Sequence, residues 1–143
     1  MSFQLGEVDL TKDFDEVMEC LWSAYEDPPQ PAFNLWCPIL KNDREASLKE
    51  STARFLEWHH HSPDAIWLKI TDLTTSKIVG AAWYKVYKDN PFAHEEEQLV
   101  NWYPNDSTRD FVSQALTIME KPRKEKATRP QVCKQSALQL LWI

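Results

Sequence analysis

Three consecutive histidines, His59, His60 and His61, followed by Asp64, are the first residues in this chain whose types could do chemistry, as ligands to a metal ion. Successive residues on a helix point about 100° apart, so three in a row cannot converge on one ion while the helix stays wound. No cysteine or further histidine stands at a ligand-like spacing, and His94 is alone. The ordinary reading is a set of imidazoles at a helix C-terminus, where positive charge suits the dipole, and no metal site is expected. Glu95, Glu96 and Glu97 could give a general base to a bound amine, but a charge run of this kind is more often a solvated loop. Cys20, Cys37 and Cys133 share no metal spacing and read as free thiols of a reducing compartment. A nucleophilic cysteine would need a histidine partner that the sequence does not place, so no catalytic residue is assigned.

Trp22, Trp36, Trp58, Trp67, Trp83, Trp102 and Tyr84 form an aromatic-rich set whose bulk belongs in a core. The chain has 143 residues, 43% of them hydrophobic, which suits one domain. A net charge of −6 argues against a nucleic-acid groove, which needs clustered Lys and Arg. The basic stretch from Lys121 to Arg129 and the acidic run before it read as solvated faces. The opening residues have no charged n-region followed by an apolar run, and no stretch approaches the roughly 18 apolar residues of a membrane span. The expectation is a cytoplasmic, soluble protein with no nucleic-acid or membrane partner.

The elements that would position these residues follow from periodicity. A short strand opens the chain at 3–8. Phe14, Val17, Met18, Leu21, Trp22 and Tyr25 recur at helical spacing behind an Asp13/Glu16 capping box, and the run Asp27-Pro28-Pro29-Gln30-Pro31 must end that helix. A second helix is predicted over 43–60, capped by Asn42 with Glu45 answering, with Leu48, Thr52, Phe55, Leu56 and His59 along one side. Residues 65–71 and 78–87 read as a hairpin across a polar link, with Gly80 marking a bulge or a close backbone approach. Ser107 with Asp110 caps a third helix carrying Phe111, Ala115, Leu116, Ile118 and Met119, ending at Lys121-Pro122. The apolar residues 137–143 suit a strand or a short buried helix.

Several fragments, taken in order, resemble fungal members of the GNAT superfamily of N-acetyltransferases. They are Glu26-Asp27-Pro28-Pro29-Gln30-Pro31, Trp58-His59 with Ile66-Trp67-Leu68-Lys69-Ile70, and Ile78-Val79-Gly80-Ala81-Ala82-Trp83-Tyr84 leading to Asn90-Pro91-Phe92. Trp102-Tyr103-Pro104, Arg109-Asp110-Phe111 and Arg129-Pro130 continue the likeness. The resemblance covers residues 1–130 as the N-terminal part of a GNAT-like domain, with 131–143 a divergent apolar tail. It implies an α+β fold, an incomplete GNAT-like antiparallel sheet with two to three flanking helices. It also implies acetyl transfer from acetyl-CoA to a small-molecule amine, and places Trp83 and Tyr84 on the strand bordering the acceptor side, with Trp36 behind them, as substrate-binding residues. In such enzymes the diphosphate rests on a glycine-rich loop at a helix N-terminus. This chain has only Gly6 and Gly80, neither in such a loop, so no cofactor-binding residue is assigned and transfer by this chain alone is expected to be weak or absent. The tail then reads either as translated intron or as a true truncation. The alternative is a non-catalytic binding or interaction protein derived from a GNAT domain. A sheet left open would expose an edge for homo- or hetero-oligomers.

Overall fold

The computed structural model describes residues 2–90, 100–104, 106–126 and 131–134. Strands β1 (Phe3–Glu7), β2 (Ala65–Asp72), β3 (Lys77–Tyr87) and β4 (Gln131–Lys134) form one antiparallel sheet in the order β1-β2-β3-β4. Helices α1 (Phe14–Glu26) and α2 (Arg44–His60) lie between β1 and β2 in the chain, and α3 (Ser107–Lys126) between β3 and β4. The class is the expected one, α+β with an open antiparallel sheet and flanking helices. Asn90 is the last described residue before a gap, so His94 and Glu95, Glu96 and Glu97 lie outside the described residues, as do Arg129-Pro130 and residues 137–143.

α1 buries the predicted stripe: Phe14, Val17, Met18, Leu21 and Trp22 are all buried, while Tyr25 is half-buried at the helix end. Each such side chain contributes roughly 1.5–3 kcal/mol when taken from water. The stripe meets a plate formed by Trp67 of β2 and Trp83 of β3, which pair across the strands with rings stacked at 5.5 Å and 2°. Phe14 packs edge-on to Trp67 at 5.4 Å, and Phe55 of α2 tilts against both indoles. The Trp22 indole N–H donates to Ser51 Oγ at 3.1 Å and so ties α1 to α2 inside this core.

Near Gly80 the ladder shifts: Ile70 pairs with Gly80 but Thr71 pairs with Ile78, leaving Val79 as the extra residue of a bulge. The slip turns Ile78 onto the helix side of the sheet, where it is buried. Its amide is taken by the Glu16 carboxylate of α1 at 2.9 Å.

That bond corrects the predicted cap of α1. Asp13 is the N-cap residue but makes no side-chain cap bond; its carboxylate accepts from the Asp9 amide at 2.7 Å and from Lys69 Nζ of β2. Glu16, bound to Ile78, cannot answer it. The cap of α2 moves by one residue, because Asp43, not Asn42, accepts from the Ala46 amide, while Asn42 takes a left-handed turn conformation (φ 57°). α3 begins after Asp106, whose carboxylate accepts from the Thr108 amide, and it continues through Pro122 to Lys126. Pro122 and Ile118 are both exposed, so the carbonyl that loses its helical partner faces water and the helix is not forced to stop.

The apolar face predicted for α3 is also corrected. Val112 and Leu116 are buried against Trp102 and Val100, in a second cluster that includes Leu35, Trp36, Trp58 and Tyr103. Phe111, Ile118 and Met119 point to solvent.

Candidate functional site

The connection between α1 and α2 is built by prolines. Asp27 takes an extended conformation, and Pro31 opens a 3-10 turn, Pro31–Leu35, that brings Phe33 back onto α1. The Phe33 ring stacks on Tyr25 at 4.6 Å and 11° and meets Trp22 edge-on at 5.8 Å. Together these three rings, Pro29, Pro31 and Ile39 wall an open cavity of about 210 Å³, with Cys37 in its buried part and Glu26 and Gln30 as polar lining.

Arg44, the first residue of α2, reaches back to this wall. Its guanidinium bonds Glu26 at 2.8 Å and Glu19 at 2.9 Å and lies over the Trp22 ring at 5.5 Å. The hydrogen bonds it donates to Glu26 and then to Glu19 hold the guanidinium even more firmly protonated. Two carboxylates against one guanidinium leave the cluster one negative charge in excess.

Burial pushes the Cys37 thiol up from 9.0 to about 12, although Arg54 and Ser51 oppose the shift. At neutral pH it is a protonated thiol and not a nucleophile. Cys20 is likewise raised, chiefly by burial. Arg54 is the one buried charged residue among those described. Its Nε and Nη2 bond the Glu50 carboxylate at 2.7 and 3.0 Å, Nη2 also bonds the Trp36 carbonyl at 2.8 Å, and the group lies over Trp102 and Trp58. Arg54 thus locks the Trp36–Cys37 segment to the second cluster.

The expected substrate residues are placed as follows. Trp83 is buried in the plate under α1 and α2, and Tyr84, the next residue on the strand, points to the opposite face. Trp36 is half-buried between the two clusters. The fold does not gather these three in one cleft. The cavity is instead walled by Trp22 and Tyr25, which belong to the α1 stripe, and by Phe33 of the following turn. The signal for them was present: aromatics three apart at a helix end, followed directly by a proline run.

At the other end of α2, the His59 Nδ1 is buried with no hydrogen-bond partner, and burial, then His60, lowers its pKa. His61 Nδ1 lies 2.9 Å from the Glu57 carbonyl, so the histidines diverge. Among the described residues no group of His, Cys, Asp or Glu is placed to hold a metal ion, and no helix is long and apolar enough to cross a membrane. No protein-family model matches this chain, and no curated protein matches it.

Proposed function

We propose that this chain is the acceptor-binding part of an N-acetyltransferase-like domain, receiving a small amine, with little or no acetyl transfer of its own. The observation that carries the reading is the aromatic cavity at the α1–α2 connection, whose lining carboxylate, Glu26, is paired with Arg44. The order of helices and strands and the sequence resemblance to GNAT proteins support it. The described residues do not suit the diphosphate of acetyl-CoA: Gly6 and Gly80 both lie inside strands, paired with Lys69 and Ile70, and offer no loop of free amides. No transfer step is therefore derived through that group. Free Cys20 and Cys37 support a reducing, cytoplasmic setting.

Calorimetric titration with a primary amine and, separately, with acetyl-CoA tests the reading. Amine binding with no acetyl-CoA binding supports it. Micromolar acetyl-CoA binding would show that the chain is a competent enzyme and overturn the statement about weak transfer. Binding of neither would remove the acetyltransferase reading.

A second reading, an interaction protein derived from such a domain, is favoured by one observation. The sheet face away from α1 and α2 carries exposed Phe3, Leu5, Ile66, Val86 and Val132. An apolar face of this kind serves homo- or hetero-association.

A further inference from the structure

We propose that β1 is a self-association edge, on which a second copy of this chain adds its own β1 antiparallel and joins the two sheets into one. The proposal is independent of the cavity between α1 and α2. It goes beyond the apolar-face reading, because backbone groups of one strand make the contact.

β1 and β4 are the outer strands of the sheet, and among the described residues β1 is paired on one side only. The ladder with β2 fixes which of its backbone groups are used. The Val8 amide donates to the Trp67 carbonyl at 3.0 Å, and the Leu73 amide donates to the Ser2 carbonyl at 2.9 Å. Hydrogen-bonded pairs recur at every second residue of an antiparallel ladder, so Ser2, Gln4, Gly6 and Val8 are the residues bonded to β2. Phe3, Leu5 and Glu7 therefore turn their N–H and C=O groups outward.

Natural edges are blunted by Pro, Lys, a bulge or a covering element. β1, Phe-Gln-Leu-Gly-Glu, has neither Pro nor Lys, and it meets β2 in an unbroken register. Phe3 and Leu5 are 56% and 67% exposed on one face of the strand. On the other face, a Cβ added at Gly6 would meet no atom within 4 Å beyond its chain neighbours. Among the described residues the edge is bare on both faces.

The occupant follows from register and charge. Across a twofold axis a strand is its own antiparallel partner, and the outward groups allow pairing centred on Phe3, Leu5 or Glu7. Centring on Glu7 sets two carboxylates directly opposite, which is destabilising. Centring on Phe3 carries Glu7 past the end of the second β1. Centring on Leu5 sets Leu5 against Leu5 and each Phe3 against the other copy's Glu7, with both N–H···O bonds exchanged in every pair. The two Glu7 carboxylates then stand about 14 Å apart along the strands, beyond the Debye length of about 8 Å at 0.15 M salt. Phe3 and Leu5 of both copies share one face, so the pairing also extends the apolar face. A five-residue edge buries far less than the roughly 1,200 Å² of a standard interface, so the dimer is weak, half-formed near about 0.1 mM.

Hydrogen exchange on the full chain at 0.15 M salt tests this without any substitution. The Phe3, Leu5 and Glu7 amides should exchange roughly fourfold more slowly at about 1 mM chain than at about 10 μM, as the free chain falls to about a fifth of the total. The Val8 amide, already held by Trp67, should not change. By light scattering the mass should rise toward twofold over the same range. Leu5→Pro removes the outward N–H at the centre of the pairing and spares every β1–β2 bond, so it should abolish the dimer. Ile66→Glu charges the apolar face beyond the end of β1 and should leave the dimer intact. Concentration-independent exchange at Phe3, Leu5 and Glu7, or a Leu5→Pro chain that dimerises as the native one does, would overturn the proposal. A dimer lost in Ile66→Glu but kept in Leu5→Pro would also overturn it, and would uphold association through the apolar face. Protection of the same three amides by an added Thr-Val-Thr-Val-Thr peptide, with the chain monomeric throughout, would give the edge to a foreign strand and overturn the choice of a second copy.

Discussion

At the scale of single residues, Trp22 and Trp83 are both buried, but only Trp22 has an acceptor for its indole N–H. Ser51 takes that proton donor, whereas Trp83 Nε1 is buried with no hydrogen-bond partner. A buried donor without an acceptor costs about 1–3 kcal/mol, so replacing it by an apolar ring of similar shape removes a penalty that offsets the lost area. Trp83→Phe should therefore change stability by less than about 1 kcal/mol, while Ser51→Ala, which orphans the Trp22 indole, should cost about 1–3 kcal/mol. Urea unfolding of both variants checks the pair; the reverse ranking would contradict it. Cys37 gives a pH signature. Its folded thiol holds a proton to about 12, while an unfolded one releases it near 9.0. Because the folded value is raised, the contribution to stability is complete below the unfolded value and is lost as pH climbs from about 9 toward 12. The urea midpoint should fall between pH 8 and pH 10.5 more steeply for the native chain than for Cys37→Ala, and Cys37 should resist alkylation until the chain unfolds.

At the scale of elements, the helix caps decide what sequence could and could not show. Asp43→Ala should destabilise by about 1 kcal/mol, since it removes the acceptor for the Ala46 amide. Asn42→Gly should change little, because Asn42 stands in a left-handed turn (φ 57°) that glycine adopts freely. Equal losses at the two positions, measured by thermal unfolding, would return the cap to Asn42. The stripe of α1 and the β2–β3 hairpin were legible because each follows one period, 3.6 or 2, dictated by a single buried face. The capping box expected of α1 does not form because both carboxylates are claimed by residues far along the chain, Asp13 by Lys69 and Glu16 by the Ile78 amide. No local rule sees a partner 62 positions away. α3 went wrong at its face for a related reason. Phe111, Ile118 and Met119 are as apolar as Val112 and Leu116, and the docking of Trp102 and Trp36 selects between them. The cavity is not legible in the sequence because Trp22 and Tyr25 satisfy the core periodicity and the cavity wall at once, and only the folded turn brings Phe33 to them.

At the scale of the whole molecule, two cores on the helix side contrast with the other sheet face. α1 and α2 cover one face of the sheet, and Arg54 links that core to the cluster under α3 through the Trp36 carbonyl. The far face presents Leu5 at 67% and Val132 at 66% exposure, with Phe3 beside Leu5 at one end of the sheet and Ile66 and Val86 near Val132 at the other. Apolar area favours association through this face, whereas a net charge of −6 opposes it by self-repulsion. Salt screens the second term and leaves the first, since the Debye length shrinks from about 30 Å at 0.01 M to about 8 Å at 0.15 M. Light scattering should therefore show a mass that rises with protein concentration and with added salt. Leu5→Glu combined with Ile66→Glu should hold the chain monomeric under the same conditions, because both positions are exposed and the change adds two like charges to the face without touching either core. A mass independent of salt and concentration in the native chain, or unaltered by that pair of substitutions, would mean that this face does not drive association.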